Sequence, residues 1–131
     1  MFLHPDPFIK PIKTKYMNAK EIIGQIVQEE FDMPKEFWKV KSNSREYVYP
    51  KKVMIYLLRK LTRSTLIEIG RFAGYADHSS IIHHIYNCEE LMKQFDDFKI
   101  KVLICRKNAD SALKQMLSKK ELELLNLNYT I

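Results

Sequence analysis

The stretch LIEIGRFAGYADHSSIIH, residues 66–83, is the part of the chain that decides the fold. Its first half has apolar residues at helical spacing, introduced by Thr65 and Glu68 as a capping pair. Gly74 follows, a residue type that closes helices in the left-handed conformation, and then Asp77, which favours the N-cap of a helix. The stretch therefore predicts two helices joined by a tight turn, which is a helix-turn-helix.

The second of these helices opens with four small polar residues, Asp77, His78, Ser79 and Ser80. In a helix-turn-helix, this end of the second helix meets base edges in the major groove of DNA. Side chains of these types donate and accept hydrogen bonds, as such contacts require. We therefore predict that these four residues contact bases.

The same stretch resembles the signature of the C-terminal DNA-binding domain of the bacterial replication initiator DnaA, a Trp-repressor-like helix-turn-helix. Ser79 and Ser80 stand where that family has two threonines. The resemblance extends from about residue 20 to residue 108, and the positions in register are Leu66, Glu68, Ile69, Gly70, Phe72, Gly74, Asp77, His78 and His83. It implies an all-α helical bundle that binds double-stranded DNA in a sequence-specific way and takes part in replication or transcription.

The resemblance also implies contacts with the DNA backbone. Lys51, Lys52 and Arg59 match backbone-contacting positions of the family, and Leu66 matches the position where backbone amides meet a phosphate. The arginine that the family inserts into the minor groove falls on Asn43 here.

Two cations lie close to that position, Lys41 two residues before it and Arg45 two residues after it. Either would serve if the loop register shifts, and we take Arg45 as the minor-groove candidate.

Departures from the family favour a different specificity. Ala76 replaces an arginine, and the family's His-Ala-Cys-Arg-Lys run reads His-His-Ile-Tyr-Asn at 83–87. These changes leave open an alternative function, a protein-interaction module that keeps the fold but binds DNA weakly or not at all. The partner, or a second copy, would then contact the apolar C-terminal tail, which contains Leu124, Leu125, Leu127, Tyr129 and Ile131.

The net charge of +6 is concentrated in one segment. Residues 35–71 hold ten Lys and Arg against three Asp and Glu, whereas the rest of the chain is close to neutral. A basic block next to a helix-turn-helix suits a polyanion such as DNA. Taken alone, the charge is more typical of a solvated surface than of a DNA-binding one.

Enzymatic activity is not expected. The three glycines form no phosphate-binding loop, so the sequence predicts neither a nucleotide site nor an ATPase, and we expect a stand-alone DNA-binding protein. His84 and Cys88 are four residues apart, but no further ligand completes a metal site, so no metal or other cofactor is predicted. We interpret His83 as a half-buried residue that bonds a neighbouring backbone group.

Two cysteines, Cys88 and Cys105, without a signal peptide indicate a reducing cytoplasm, and no apolar run is long enough for a bilayer. The chain divides into a proline-rich extended arm at 1–17, the DnaA-like domain at 18–108 and a helical extension at 109–131.

Within the domain, Asn18 is expected to cap a first helix that ends near residue 31. A basic loop at 39–49 is expected to lead to Pro50 as the first residue of the next helix. Ile81, Ile82 and Ile85 of the second motif helix are expected to face the core. The last twenty residues are predicted to form one or two short helices.

Overall fold

The structure, a computed structural model, describes residues 18–75 and 77–129, and it describes side chains for 18–75 and 77–116. Five α-helices and one 3-10 turn occupy these residues without a strand, which confirms the all-α prediction. The helices are α1 (Ala19–Glu30), α2 (Arg45–Leu61), α3 (Leu66–Ala73), α4 (His78–Gln94) and α5 (Asp96–Tyr129), with the 3-10 turn at Phe37–Lys39. The arm predicted at 1–17 and the departure at Ala76 lie outside the described residues.

The central element is α2, which contacts each of the other four helices and the 3-10 turn. Every residue from Lys52 to Leu58 is buried, so this helix is covered on all sides. In the sequence, Val53, Leu57 and Leu61 recur at spacings of four with Met54 and Leu58 beside them, which predicts one buried face. All five are buried except Leu61, which is half-buried. Helical spacing pointed to one face and therefore missed Ile55 and Tyr56, which are equally buried.

The first helix begins as predicted, with the Asn18 side chain accepting the N–H of Glu21 at 2.9 Å. Its apolar face packs against α2 and α5, and the buried residues of α5 that complete this layer are Val102, Cys105, Ala109 and Ala112. The prediction of one or two short C-terminal helices was wrong, because α5 runs unbroken to Tyr129. Ala109 and Ala112 are buried, so the packing of this helix against the core continues past residue 108.

Trp38 links the 3-10 turn to the helix-turn-helix. Its ring stacks on Phe72 of α3 with centroids 5.3 Å apart and an interplanar angle of 22°. On α1 the ring lies over Gly24, where an added Cβ would be 2.8 Å from two ring carbons. Only glycine leaves room for the indole at this position. Because the same ring stacks on Phe72, Trp38 connects the packing of α1 with that of α3.

The start of α2 differs from the prediction. The helix begins at Arg45 rather than at Pro50, and Val48 already donates to the Ser44 carbonyl at 2.9 Å. Pro50 therefore lies inside the helix, where it cannot donate to the carbonyl four residues earlier. Tyr47 packs against the core and Pro50 is buried, so tertiary contacts offset the missing hydrogen bond.

Candidate nucleic-acid interface

The first helix of the motif, α3, is fixed at both ends by local hydrogen bonds. Thr65 accepts the N–H of Glu68 at 3.1 Å, and the Glu68 carboxylate accepts the N–H of Thr65 at 3.2 Å. Gly74 closes the helix at a φ of 82°, and the N–H of Tyr75 donates to the Gly70 carbonyl. The predicted capping box and the left-handed glycine are both confirmed.

Leu66 is the half-buried first residue of α3. The first amide of this helix to donate to a backbone carbonyl is that of Ile69, which donates to Thr65. The Leu66 N–H lies before this first backbone bond, so it has no acceptor within the helix, and it lies at the positive end of the helix dipole. This position suits an anion.

The second helix, α4, begins where the sequence predicted. The Asp77 side chain accepts the N–H of Ser80 at 2.9 Å, and this bond keeps the pKa of Asp77 below its ordinary value. One carboxylate oxygen is therefore used by the cap. His78 and Ser79 are exposed and Ser80 is half-buried, so the first two offer accessible polar side chains at the start of the helix.

The cations of α2 flank α3 at its two ends. The Arg59 guanidinium is exposed and donates to the carbonyl of Ser64 at 3.3 Å, just before α3. The Lys51 ammonium lies 4.5 Å from the centroid of the Tyr75 ring, just after α3. These contacts place a positive charge next to each end of the helix.

Lys52 has a different environment from the one that a phosphate-contacting residue needs. Only 8% of its surface is exposed, and its Nζ lies 3.1 Å from Nδ1 of His84 on α4. Burial lowers the pKa of Lys52. Its position in the fully covered part of α2 explains the difference, because residues on every side of that segment face a neighbouring helix.

Lys51, Lys52, Tyr75 and His84 form one cluster, which we call the lysine–histidine cluster. The rings of Tyr75 and His84 pack with centroids 4.8 Å apart, between the ammonium groups of the two lysines. Burial holds the pKa of His84 down at about 4, and both lysines add to this effect. The imidazole is therefore neutral near pH 7. Sequence reasoning placed His84 and Cys88 on one face of α4 but missed this cluster, which depends on α2.

The outer face of α4 contains two further departures from prediction. Ile82 was expected in the core, but 54% of its surface is exposed, while Ile81 is fully buried and Ile85 half-buried. His83 was expected to be half-buried and bonded to a backbone group. It is exposed, and its Nε2 lies 2.8 Å from the side-chain nitrogen of Asn87.

Arg45, the minor-groove candidate, is exposed as the first residue of α2. Lys41 and Asn43 are also exposed, in the segment that leads to this helix. The start of the helix at Arg45 gives that side chain a regular backbone to extend from.

The described residues offer few features of a metal site or of a reactive thiol. Side chains of residues 18–75 and 77–116 bring no three His, Cys, Asp or Glu together as metal ligands. Cys88 and Cys105 are buried, and burial raises the pKa of both thiols to about 12. Such thiols are poor nucleophiles. None of the described helices is long and apolar enough to cross a membrane.

The geometry of residues 66–83 agrees with a comparison of the chain with known families. Residues 20–87 match the model of the bacterial DnaA protein helix-turn-helix. The chain belongs to the bacterial DnaA helix-turn-helix family. The matched residues run from α1 through most of α4 and so include both helices of the motif and the basic segment before them.

Individual relatives carry the name chromosomal replication initiator protein DnaA. The one from Sulfurimonas denitrificans is 33% identical over 82 residues, which cover 63% of this chain and 19% of that protein. The one from Chloroflexus aggregans is 36% identical over 78 residues, 60% of this chain and 16% of that protein. The one from Geobacter sulfurreducens is 35% identical over 98 residues, 75% of this chain and 20% of that protein. The chain thus spans a fifth or less of these relatives.

Proposed function

We propose that this protein binds double-stranded DNA in a sequence-specific way through α3 and α4. It acts at sites related to those of the DnaA family, regulates replication or transcription there, and hydrolyses no nucleotide of its own. The observation that supports this most is the placement of Arg59 and Lys51 at the two ends of α3, next to the exposed start of α4.

In the proposed complex, the start of α4 enters the major groove. His78 and Ser79 reach base edges. Asp77 contributes the carboxylate oxygen that the cap does not use, and Ser80 contributes its hydroxyl. Lys51 and Arg59 contact phosphates on either side of α3, and the Leu66 amide contacts a phosphate at its start. Arg45 extends toward the adjacent minor groove.

Lys52 contributes less directly in this proposal. Its ammonium is directed to His84, and it supports the complex by keeping the recognition helix α4 in place against α2. The basic segment 35–71 supplies the sequence-independent part of the binding free energy, because each cation that contacts a phosphate displaces counterions from DNA.

The deciding experiment is selection of bound duplexes from a random library, followed by competition with non-specific DNA at physiological salt. The double variant Lys51→Ala and Arg59→Ala has a matched control, Lys99→Ala and Lys107→Ala, which removes two exposed lysines from α5. We expect all three proteins to enrich the same sequence motif, and we expect the test variant to bind that motif more weakly than the wild type and the control, because phosphate contacts set affinity and not sequence preference. Failure of the wild type to enrich any motif would refute the proposal.

A second candidate function is a protein-interaction module, favoured by exposed apolar residues on α5. Ile100, Leu103 and Ile104 are 53%, 46% and 39% exposed and lie within about one helical turn. In that case the chain would self-associate or bind a protein through α5. Sedimentation of the wild type and of a Leu103→Glu variant over a concentration series tests for self-association.

A further inference from the structure

The recognition helix exposes an isoleucine on the face that bears its polar start. Ile82 follows His78 by four residues and Ser79 by three, so the three side chains lie on neighbouring positions of one helix face. Ile82 is 54% exposed, whereas Ile81 and Cys88 on the opposite face are fully buried. Ile81 is therefore part of the core, whereas Ile82 faces outward.

The position of Ile82 along the helix puts it within reach of a base edge. At a rise of about 1.5 Å per residue, Ile82 lies about 6 Å beyond His78 along the helix axis. The major groove is about 8.5 Å deep, so a helix that enters by its start carries its first one and a half turns into the groove. Ile82 belongs to these turns.

The chemistry of the groove indicates what an apolar side chain meets there. The C5-methyl of thymine is the apolar group on the base edges that face the major groove. Ser79 and Ser80 carry no methyl group that could pack against it. Among the exposed side chains at this end of α4, the apolar one is that of Ile82.

We propose that Ile82 is a specificity-determining residue that packs against the C5-methyl of one thymine in the recognised site. This inference rests on the proposed DNA-binding function. It assigns to Ile82 the apolar contact that the serines at 79 and 80 cannot make, and it gives a role to a large apolar side chain exposed next to hydrogen-bonding residues.

The test replaces each thymine of the selected site, one at a time, with deoxyuridine, which removes only the methyl group. Dissociation constants are measured for the wild type, Ile82→Ala and Ile100→Ala. Ile100 is the matched control, because it is an isoleucine with 53% exposure on α5. Urea unfolding of both variants establishes that the fold is retained.

We expect one deoxyuridine position to weaken wild-type binding by about fourfold, the effect of one buried methyl group. At that position Ile82→Ala should no longer distinguish thymine from deoxyuridine, while Ile100→Ala should behave as the wild type does. A repeat selection with Ile82→Ala should lose the preference for thymine at the same position.

Two results would overturn the inference while DNA binding stands. One is a selected site that contains no thymine, and the other is a deoxyuridine effect in Ile82→Ala equal to that in the wild type at every position. If the wild type selects no sequence at all, the proposed function fails, and the inference fails with it. The library selection therefore separates the two failures.

Discussion

Lys52 Nζ lies 3.1 Å from His84 Nδ1, and this contact joins the central helix α2 to the recognition helix α4. With Lys52 as the donor, the imidazole must be neutral and carry its proton on Nε2. The contact belongs to the lysine–histidine cluster, which packs α4 against α2.

The Lys52–His84 pair should behave as a coupled unit in stability measurements. His84→Leu leaves a buried ammonium without its acceptor and should lower the free energy of unfolding by about 1–3 kcal/mol. The double variant Lys52→Met and His84→Leu removes both polar groups and should regain most of that loss. Urea unfolding of both single variants and the double variant measures the coupling.

His83→Leu is the control for this cycle, since His83 is exposed on the same helix and does not contact Lys52. It should change the free energy of unfolding little. If the effects of the Lys52 and His84 substitutions simply add, the pair makes no net contribution.

The stability of the protein should depend on pH through His84. Burial lowers the pKa of His84 from 6.5 to about 4, so between these values the unfolded chain binds a proton that the folded protein does not. The free energy of unfolding should therefore fall as the pH drops from about 6.5 toward 4. For one partly exposed group the slope stays below the one-proton limit of about 1.4 kcal/mol per pH unit.

The measurement is urea unfolding at pH 7, 6 and 5 for the wild type and for His84→Gln, whose amide can still accept from Lys52. Asp77 and Glu68 have lowered pKa values and lose their contribution only at lower pH, so this range isolates the histidine. Equal slopes in the two proteins would show that His84 remains solvated.

DNA affinity should be strongly dependent on salt. With about four to six phosphates neutralised, affinity should fall by about 10²–10³ between 50 and 200 mM salt. Lys51→Ala and Arg59→Ala should each weaken binding to specific and random DNA alike and reduce the salt slope by about 1. Fluorescence anisotropy titrations at several salt concentrations give both quantities.

The comparison variant for this series is Lys99→Ala, because Lys99 is exposed on α5, a helix to which the proposal assigns no contact with DNA. Its slope should match that of the wild type. A salt-independent affinity would contradict the assignment of residues 35–71 to the DNA backbone.

His78→Ala should reduce discrimination between sequences more than it reduces affinity. The exposed imidazole stands at the first position of α4, and loss of one base-edge contact costs about 1–3 kcal/mol at one position of the site. Competition of the selected site against single-base variants measures this loss. Lys51→Ala, which removes a phosphate contact, should leave the preferred sequence unchanged.

An unchanged sequence preference in His78→Ala would mean that α4 does not enter the groove by its N-terminal end. Urea unfolding of the same variant establishes that the protein is still folded.

The sequence by itself determined the features that depend on neighbours three or four residues away. The Thr65–Glu68 capping box, the left-handed Gly74 and the Asp77 cap are each closed by hydrogen bonds within one helical turn. Such signals are local, so residue type and spacing suffice to predict them. The motif and its similarity to the DnaA family follow from the same short stretch, and the family match over residues 20–87 confirms it.

Only the tertiary structure decided which side chains are buried in the core. Ile81 and Ile82 are the same residue type, but Ile81 lies against Gly70 of α3 and is fully buried, whereas Ile82 is on the face of α4 that stays exposed. Lys52 is buried because helices surround α2, and its partner lies 32 residues away. Pro50 is accommodated inside α2 because distant residues pack around it. Contacts of this kind depend on how the helices are arranged in space. A sequence segment of one or two helical turns does not contain that information.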